Sequence, residues 1–419
     1  MKAIIVGSGL LGVTSAYFLA RRGWEVVVID RCAGPAEETS FANGAVLTPS
    51  MPEPWNAPGS WRVLIQSLGR RDSVLQLRLK ALSGLGSWGV SFLKNSSAAR
   101  YERNTRNNLR LALHSIEMLK ALRQETKIEY GGAATGSLRV FRDPAALEQA
   151  LAWAQRLRSA GLTFRSLTAA ETVTLEPALA PIGARLAGGI HYPGDELGNA
   201  HEFCVQLAEA ARRRGVAFHF GTAVREFHAS GGRVTAVACE RTRFTGDHFV
   251  VAAGSYSPLL LGPLGVRLPV RPVKGYSLTF DRPPRDPPLR IPIADDDFNA
   301  VVVPLQNVLR VAGTAEFAGY DLSLPEVRLR NLSTLLDEVL PSATFDRSAG
   351  RPWCGLRPMS PDGVPIIGAT PIGNLWVNTG HGPLGWTMAA GSGHLLADLM
   401  SAVPPGVEPE SFALARFRS

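Results

Sequence analysis

Cysteine is scarce in this chain of 419 residues: Cys32, Cys204, Cys239 and Cys354 stand far apart, with no Cys-x-x-Cys pair and no histidine pairing of the kind a metal site needs. A disulfide framework, a structural zinc site and an iron–sulfur cluster are not expected, no other metal site is read, and reduced thiols are the default. No apolar run reaches the ~18 residues that a membrane-spanning helix needs. A single lysine precedes the first apolar strand, so no signal peptide is expected. The expected location is cytoplasmic, with peripheral contact at the inner face of the cell membrane left open. Runs of like charge are missing too. The net charge of +8 is dispersed, and the one basic triplet, Arg212-Arg213-Arg214, ends a helix just before Gly215. The helix dipole and a glycine cap account for that placement. Nucleic acid is therefore not an expected partner, and the surplus charge suits anionic substrates or an anionic membrane surface. No repeat or low-complexity tract is visible. What remains is an ordinary globular composition, 45% hydrophobic and 19% charged, in a chain long enough for two cores.

The stretch from Lys2 to Asp30 organises the rest. Ala3-Ile4-Ile5-Val6 reads as a buried strand, Gly7-Ser8-Gly9-Leu10-Leu11-Gly12 as a glycine turn, and the run to Arg22 as a helix. Trp24 to Asp30 is a second buried strand ending in an acid. Gly7 permits the tight turn, Gly9 lets backbone amides approach a pyrophosphate, and Gly12 lets helix and strand pack closely. The helix N-terminus then points its amides and its dipole at the phosphates. Asp30 stands where a carboxylate accepts hydrogen bonds from a ribose. A lone G-x-G-x-x-G also fits an ordinary βαβ turn. Strand, helix, strand and terminal acid in the right order within thirty residues point instead to dinucleotide binding.

Further along, Glu38 to Thr48 packs hydroxyls, an amide and a glycine into a loop suited to approach a cofactor, or into a plain turn. Residues 52–98 begin Pro-rich and continue apolar and aromatic, with Trp55, Trp61, Trp88 and Phe92 among Arg62, Arg70, Arg71, Arg78 and Lys80. They read as helices forming a lid, or as an amphipathic surface that docks on a membrane or partner. Helices are expected over 104–126, 144–160 and Glu202 to Arg214, with a hairpin turning at Gly231-Gly232. His219 and His228 alternate with apolar residues and read as strand-face histidines. The strand of residues 247–255 ends in small residues, which lets backbone pass close beneath a cofactor. Residues 266–317 read as antiparallel strands with Pro-rich connections at 283–284 and 287–288. The C-terminal stretch carries a second signal: Gly355-Leu356-Arg357-Pro358, then Gly380-His381-Gly382-Pro383-Leu384-Gly385-Trp386-Thr387, then a helix rich in small residues. A glycine loop feeding a helix N-terminus suits a developing negative charge.

Taken together, Val6 to Gly9, Glu38-Thr39-Ser40, Ala57-Pro58-Gly59, Gly254 to Ser257, Lys274 to Thr279, Gly355 to Met359 and Asn378 to Gly382 resemble the FAD-dependent D-amino-acid oxidase/glycine oxidase superfamily. Within it the bacterial D-amino-acid dehydrogenases are the most similar group. The resemblance spans nearly the entire chain. It implies an α/β fold: a Rossmann-like FAD-binding domain over residues 1–50, 145–262 and 350–419, with a discontinuous α+β substrate domain built on an antiparallel sheet over 51–144 and 263–349. It implies that Gly7, Ser8, Gly9, Leu11, Gly12, Asp30, Arg31, Thr39, Ser40, Asn43, Gly44, Ala45, Val46, Thr48, Val224, Ala253 and Gly254 hold FAD. It also implies that residues 380–387 cover the flavin pyrimidine ring, and that Arg357 binds the substrate carboxylate. Some relatives link flavin to a cysteine near Cys354; the register here is off by one residue, so non-covalent FAD is expected. Oxidases of the group carry a lysine in a segment resembling Gly313 to Glu316, and none stands there, which favours a dehydrogenase passing electrons to a quinone or another carrier.

The activity so implied is oxidation of a D-amino acid to an imino acid, hydrolysed to a 2-oxo acid and ammonia, with Arg357 aiming Cα–H at flavin N5. Arg357 would otherwise pair a buried acid, such as Asp362. His381 either tunes the flavin and senses substrate charge or fixes loop backbone. Tyr256 and Tyr276 either line the pocket or belong to the core. The rival activities are a D-proline or D-hydroxyproline dehydrogenase, an oxidase, and an electron-transfer flavoprotein subunit of a hetero-oligomer. An oligomer of the chain itself is left open. An NAD-dependent dehydrogenase leaves the glycine–histidine loop without a role.

Overall fold

A computed structural model describes residues 1–60, 75–77, 85–281, 289–298, 300–342 and 346–417. Within residues 52–98, Trp61 and the cationic positions Arg62, Arg70, Arg71, Arg78 and Lys80 lie outside the described residues, as do the prolines at 283–284 and 287–288.

Two sheets carry the architecture. The first runs Ile366–Ala369, Leu375–Thr379, His248–Val251, Lys2–Val6, Glu25–Ile29 and Ala217–His219. All its neighbours are parallel except the first pair. Its inner strands read as unbroken apolar runs because both faces are covered. On one face lie the helices Leu10–Arg21, Ala200–Arg212 and Gly385–Met400, sharing a core with Val26, Val28 and Val250. On the other, a three-stranded antiparallel sheet brings Phe227, Val234 and Val237 against Ile4, Val27 and Phe249. The small residues of Gly385–Met400 have a packing reason. A Cβ at Gly391 would stand 2.9 Å from the Ser115 Cα, and one at Gly393 would stand 2.7 Å from the Thr14 carbonyl carbon. That helix is thereby wedged between Leu10–Arg21 and Ala98–Thr126 at backbone distance.

The second sheet is mixed, in the order Arg351–Met359, Arg271–Asp281, Val308–Phe317, Ala300–Leu305, Ile293–Asp295, Ser137–Phe141, Gly188–Tyr192 and Arg165–Thr168, with Leu75–Leu77 joining Val308–Phe317. The expected antiparallel sheet is present, with a parallel step where Ile293–Asp295 meets Ser137–Phe141. In two places strands from the two expected sets of segments pair within this sheet. Arg165–Thr168 and Gly188–Tyr192, from the expected segment 145–262, pair with Ser137–Phe141 and with each other. Arg351–Met359, from the segment 350–419, pairs along nine residues of Arg271–Asp281. Edge pairing of this kind is a long-range contact, which local apolar patterning does not encode. Behind the sheet, Tyr276, Leu278 and Phe280 pack on Leu332, Leu335 and Leu336 of the helix Glu326–Val339.

Candidate functional site

A cleft of about 1030 Å³ opens where the C-terminal ends of the parallel strands meet the front face of the mixed sheet. Crevices beyond the carboxyl ends of parallel strands are where such folds bind ligands. At one end it is lined by Gly7, Gly9, Leu11, Asp30, Arg31, Thr39, Ser40, Val224, Ala253 and Gly254. The helix Leu10–Arg21 starts at Gly9, which has no side chain to cap it, and has no acid in its first turn; the Leu10 N–H donates to Ser40 Oγ at 3.4 Å, and the dipole of the helix points at the cleft. Gly12 lies behind the lining, where a Cβ would collide with the Gly7 carbonyl oxygen; close packing of turn on helix requires glycine there. Ser8 is also buried, and its N–H and Oγ donate to Asp30 Oδ2 at 2.6 and 2.7 Å, while the Cys32 N–H donates to Oδ1 at 2.8 Å. Those bonds fix the Asp30 carboxylate at the cleft rim.

The middle of the cleft is lined by Asn43, Gly44, Ala45, Val46 and Thr48 from one side, and by His381, Gly382, Pro383, Leu384, Gly385 and Trp386 from the other. Thr387 and Gly380 stand outside the lining. Thr387 Oγ1 accepts from the Thr48 N–H at 3.0 Å and so ties the two walls together, while Gly380 turns at φ +82 against Ile366. Asp195 anchors the next stretch of wall: it accepts from Ser50 Oγ at 2.5 Å, from the Ser50 N–H at 3.2 Å and from Ser137 Oγ at 2.6 Å. Burial pushes its pKa up to about 7. His381 shares a 2.8 Å hydrogen bond through Nε2 with Ser392 Oγ, and its Nδ1 is buried with no partner among the described residues. Burial pulls its pKa down to about 3, so the imidazole is neutral at physiological pH.

Arg357 lies on the mixed sheet's front face. Val273 stands opposite it, so Gly275, two residues on, shares that face. A Cβ at Gly275 would overlap Cζ, Nη1 and Nη2 of Arg357; the missing side chain is the seat of the guanidinium. On the next strand a bulge sets Thr314 and Ala315 against Gly275, with Thr314 at φ +55, a left-handed conformation that β-branched residues avoid. The bulge turns the Thr314 carbonyl toward Arg357, which donates to it from Nη1 at 3.0 Å. The Trp55 ring centroid is 5.5 Å from Arg357 Cζ. No described carboxylate pairs with this guanidinium, and burial alone pulls its pKa down to about 10. The alternative partner, Asp362, is taken by Arg416, through Nε at 2.7 Å and Nη2 at 3.1 Å.

The two tyrosines read as pocket lining or core fall differently. Tyr276 contributes backbone to the lining, but its side chain points through the sheet to the back, where it is 1% exposed and its hydroxyl donates to Glu316. A strand residue next to Gly275 must face the opposite way. Tyr256 does line the cleft, but its ring lies 4.0 Å under the Arg31 guanidinium, which also pairs with Glu38; the ring beside Arg357 is Trp55 instead. Cys354 is on the back face with Tyr276, its Sγ donating to the Leu322 carbonyl at 3.2 Å. Lys274, also on the back, lies 3.4 Å from Asp321, and no lysine lines the cleft among the described residues. Sequence reasoning missed Gly275, Thr314, Trp55 and Glu53 as cleft residues. Gly275 stood inside a recognised motif, and a glycine in an otherwise bulky strand was the available signal.

The family model for FAD-dependent oxidoreductases matches residues 2–399. The chain belongs to the FAD-dependent oxidoreductase family. It is 42% identical over 421 residues to a D-amino acid dehydrogenase of Paramagnetospirillum magneticum, covering 100% of this chain and 99% of that protein. It is 43% identical over 420 residues to a D-amino acid dehydrogenase of Rhizorhabdus wittichii, covering both chains completely. Among solved structures it resembles glycine oxidase from Geobacillus kaustophilus, with a TM-score of 0.77 at 22% identity over 99% of this chain and 98% of that one. L-proline dehydrogenase from P. horikoshii gives 0.78 at 18% identity over 100% and 97%. Those two likenesses establish the shared fold. The residues present fit the family's cofactor: the uncapped helix N-terminus suits a pyrophosphate, the fixed Asp30 suits a ribose, and the two glycine-bearing walls leave room for a flat ring between them. FAD is therefore the cofactor of this enzyme, and no helix of the described residues is long and apolar enough to cross a membrane.

Proposed function

We propose that this oxidoreductase oxidises D-amino acids to imino acids, which water converts to 2-oxo acids and ammonia. The observation that carries the reading is Arg357: a guanidinium at the floor of the cleft, fixed by a backbone carbonyl and a glycine seat, with no described acid to neutralise it. A buried charge without a counterion is costly, so the site is built to receive an anion from outside. A carboxylate offers two oxygens to two guanidinium nitrogens, which fixes direction as well as position. The full-length relatives named D-amino acid dehydrogenase supply the substrate class.

When bound, FAD supplies the two-electron acceptor for such an oxidation. The residues proposed to hold it are those lining the first two-thirds of the cleft, from Gly7 through Thr48 and from His381 through Trp386, supported from behind by Ser8, Gly12, Gly380 and Thr387. The rest of the work is positioning. Arg357 grips the carboxylate, Trp55 covers the guanidinium and excludes water, and Thr314 keeps Nη1 from rotating. His381, neutral and packed on Ser392, adds no positive charge that would repel a protonated substrate amine on its way in. Electrons leave to a quinone or another carrier; the absence of a lysine from the described lining supports a dehydrogenase. With Cys354 behind the sheet, FAD is held without a covalent bond.

Anaerobic titration of the holoenzyme with D- and L-alanine tests the reading. Bleaching of the flavin bands by the D-enantiomer alone, and aerobic turnover that reduces an added dye without forming peroxide, are expected. Bleaching by L-alanine alone overturns it.

A further inference from the structure

Beyond Arg357 the cleft continues along the front face of the mixed sheet to Arg139, Ala294, Asp295, Asp296 and Glu53. Three carboxylates and one guanidinium line this end. Their pairing leaves one acid over. Arg139 donates to Asp296 Oδ1, from Nε at 3.0 Å, and Asp295 holds Arg142 at 2.7 Å from behind the lining. Glu53 pairs with no described cation. Its Oε1 accepts from the Trp153 indole N–H at 2.7 Å, and Arg139 acts on it only through space. The cleft therefore holds a guanidinium at Arg357 with no described counterion and, at Glu53, a carboxyl that ion-pairs with no described cation; burial raises its pKa despite the charge on Arg139, so a cation arriving beside it favours its ionised form.

A short piece of chain links Glu53 to the ring beside Arg357. Glu53 and Trp55 are two residues apart, so their Cα atoms are separated by at most about 7 Å. The Trp55 ring in turn lies 5.5 Å from Arg357 Cζ. Glu53 and Arg357 therefore line one cleft, joined along its wall by Trp55. The indole behind it is held in place: Trp153 packs on Tyr101 with ring centroids 5.5 Å apart, and Arg156 covers its other side at 5.3 Å. The carboxylate is accordingly fixed in direction as well as unpaired.

Resting on the D-amino-acid reading, we propose that Glu53 is a specificity-determining residue that receives the cationic end of a long substrate side chain, selecting D-amino acids that carry a terminal ammonium or guanidinium. A neutral side chain of equal length leaves Glu53 unmatched, and an acidic one sets like charges together, which costs affinity. D-Alanine ends before Glu53 and serves as the reference substrate.

Steady-state kinetics of the holoenzyme with D-alanine, D-lysine, D-norleucine and D-2-aminoadipate tests this. The wild type is expected to show kcat/KM for D-lysine at least tenfold above D-norleucine, residing in KM, with D-2-aminoadipate below both. In Glu53→Gln the lysine advantage falls to within about threefold of norleucine, and Glu53→Asp retains part of it; a merely structural glutamate would move all four substrates together. D-Norleucine equal to D-lysine in the wild type overturns the inference, and so does a lysine advantage that survives in Glu53→Gln, while D-alanine turnover leaves the D-amino-acid reading standing. The wild-type panel decides the matter even if a variant fails to fold. If no D-amino acid bleaches the flavin, D-alanine included, both readings fall together.

Discussion

Replacing Gly275 by alanine adds one methyl group at the seat of Arg357, and its consequence follows from the geometry. The new Cβ overlaps the guanidinium Cζ, Nη1 and Nη2, so contact at ordinary van der Waals distance requires the guanidinium to move by about 1 Å. The displaced atoms are the end of a flexible side chain, and Gly275 does not have a positive φ, so alanine strains no backbone. Folding and FAD content are expected to be preserved. The 3.0 Å bond to the Thr314 carbonyl is lost, and with it the aim of the clamp. A charge-assisted bond is worth roughly 1.5–3 kcal/mol, which converts to roughly 10- to 150-fold in kcat/KM for D-alanine. A misplacement of about 1 Å at a positioning group predicts a loss of the same size. Kinetics with dye as acceptor, beside flavin absorbance and thermal melting, measures the effect. A Gly275→Ala enzyme with full flavin and kcat/KM within threefold of wild type would refute both the seat and the clamp.

Three further outcomes are expected. Arg357→Lys keeps a charge but loses the fork and the bond to Thr314, so KM for D-alanine should rise at least roughly tenfold with flavin binding intact; an unchanged KM places the clamp elsewhere. Arg416→Ala leaves Asp362 buried and unpaired, and denaturant unfolding should register a loss of about 3–5 kcal/mol. A loss below 1 kcal/mol would show that this pair carries little of the C-terminal docking. Asp195 has a folded pKa pushed up to about 7 against an ordinary 3.8. The folded state therefore binds more protons in that window, and this contribution to stability is fully present below about pH 4 and lost as pH rises through about 7. Denaturation measured across that range should show a decline in the wild type that is missing in Asp195→Asn; parallel slopes would remove Asp195 from the pH response.

The division between what was readable and what was not can be followed through single residues. The turn before Gly12 and the strand ending at Asp30 were legible because turn, helix and strand dictate each other over thirty consecutive positions, and their dihedrals and periodicity are local properties. Tyr276 was left open between pocket and core although its strand was recognised. Alternation says that it opposes Gly275 but not which of the two faces the cleft, and only the packing of the helix Glu326–Val339 on one side decides that. Tyr256 was likewise left between pocket and core, and the fold sets it in the cleft wall under Arg31. Glu53 and Trp55 sat in a Pro-rich stretch whose partners, Trp153 and Arg357, are 100 and 302 positions away, beyond any window of periodicity.

By itself, then, the sequence determined the nucleotide-binding unit, the presence of a glycine–histidine loop feeding a helix, and the arginine to be watched. Tertiary structure decided that this arginine pairs with no acid among the described residues. Asp362, five residues from it in the chain, is captured by Arg416, and the seat at Gly275 and the bulge at Thr314 come from two neighbouring strands. The physical reason is that a charge's partner is chosen by proximity in space, and cross-strand register and bulges set that proximity through contacts between residues remote in the chain.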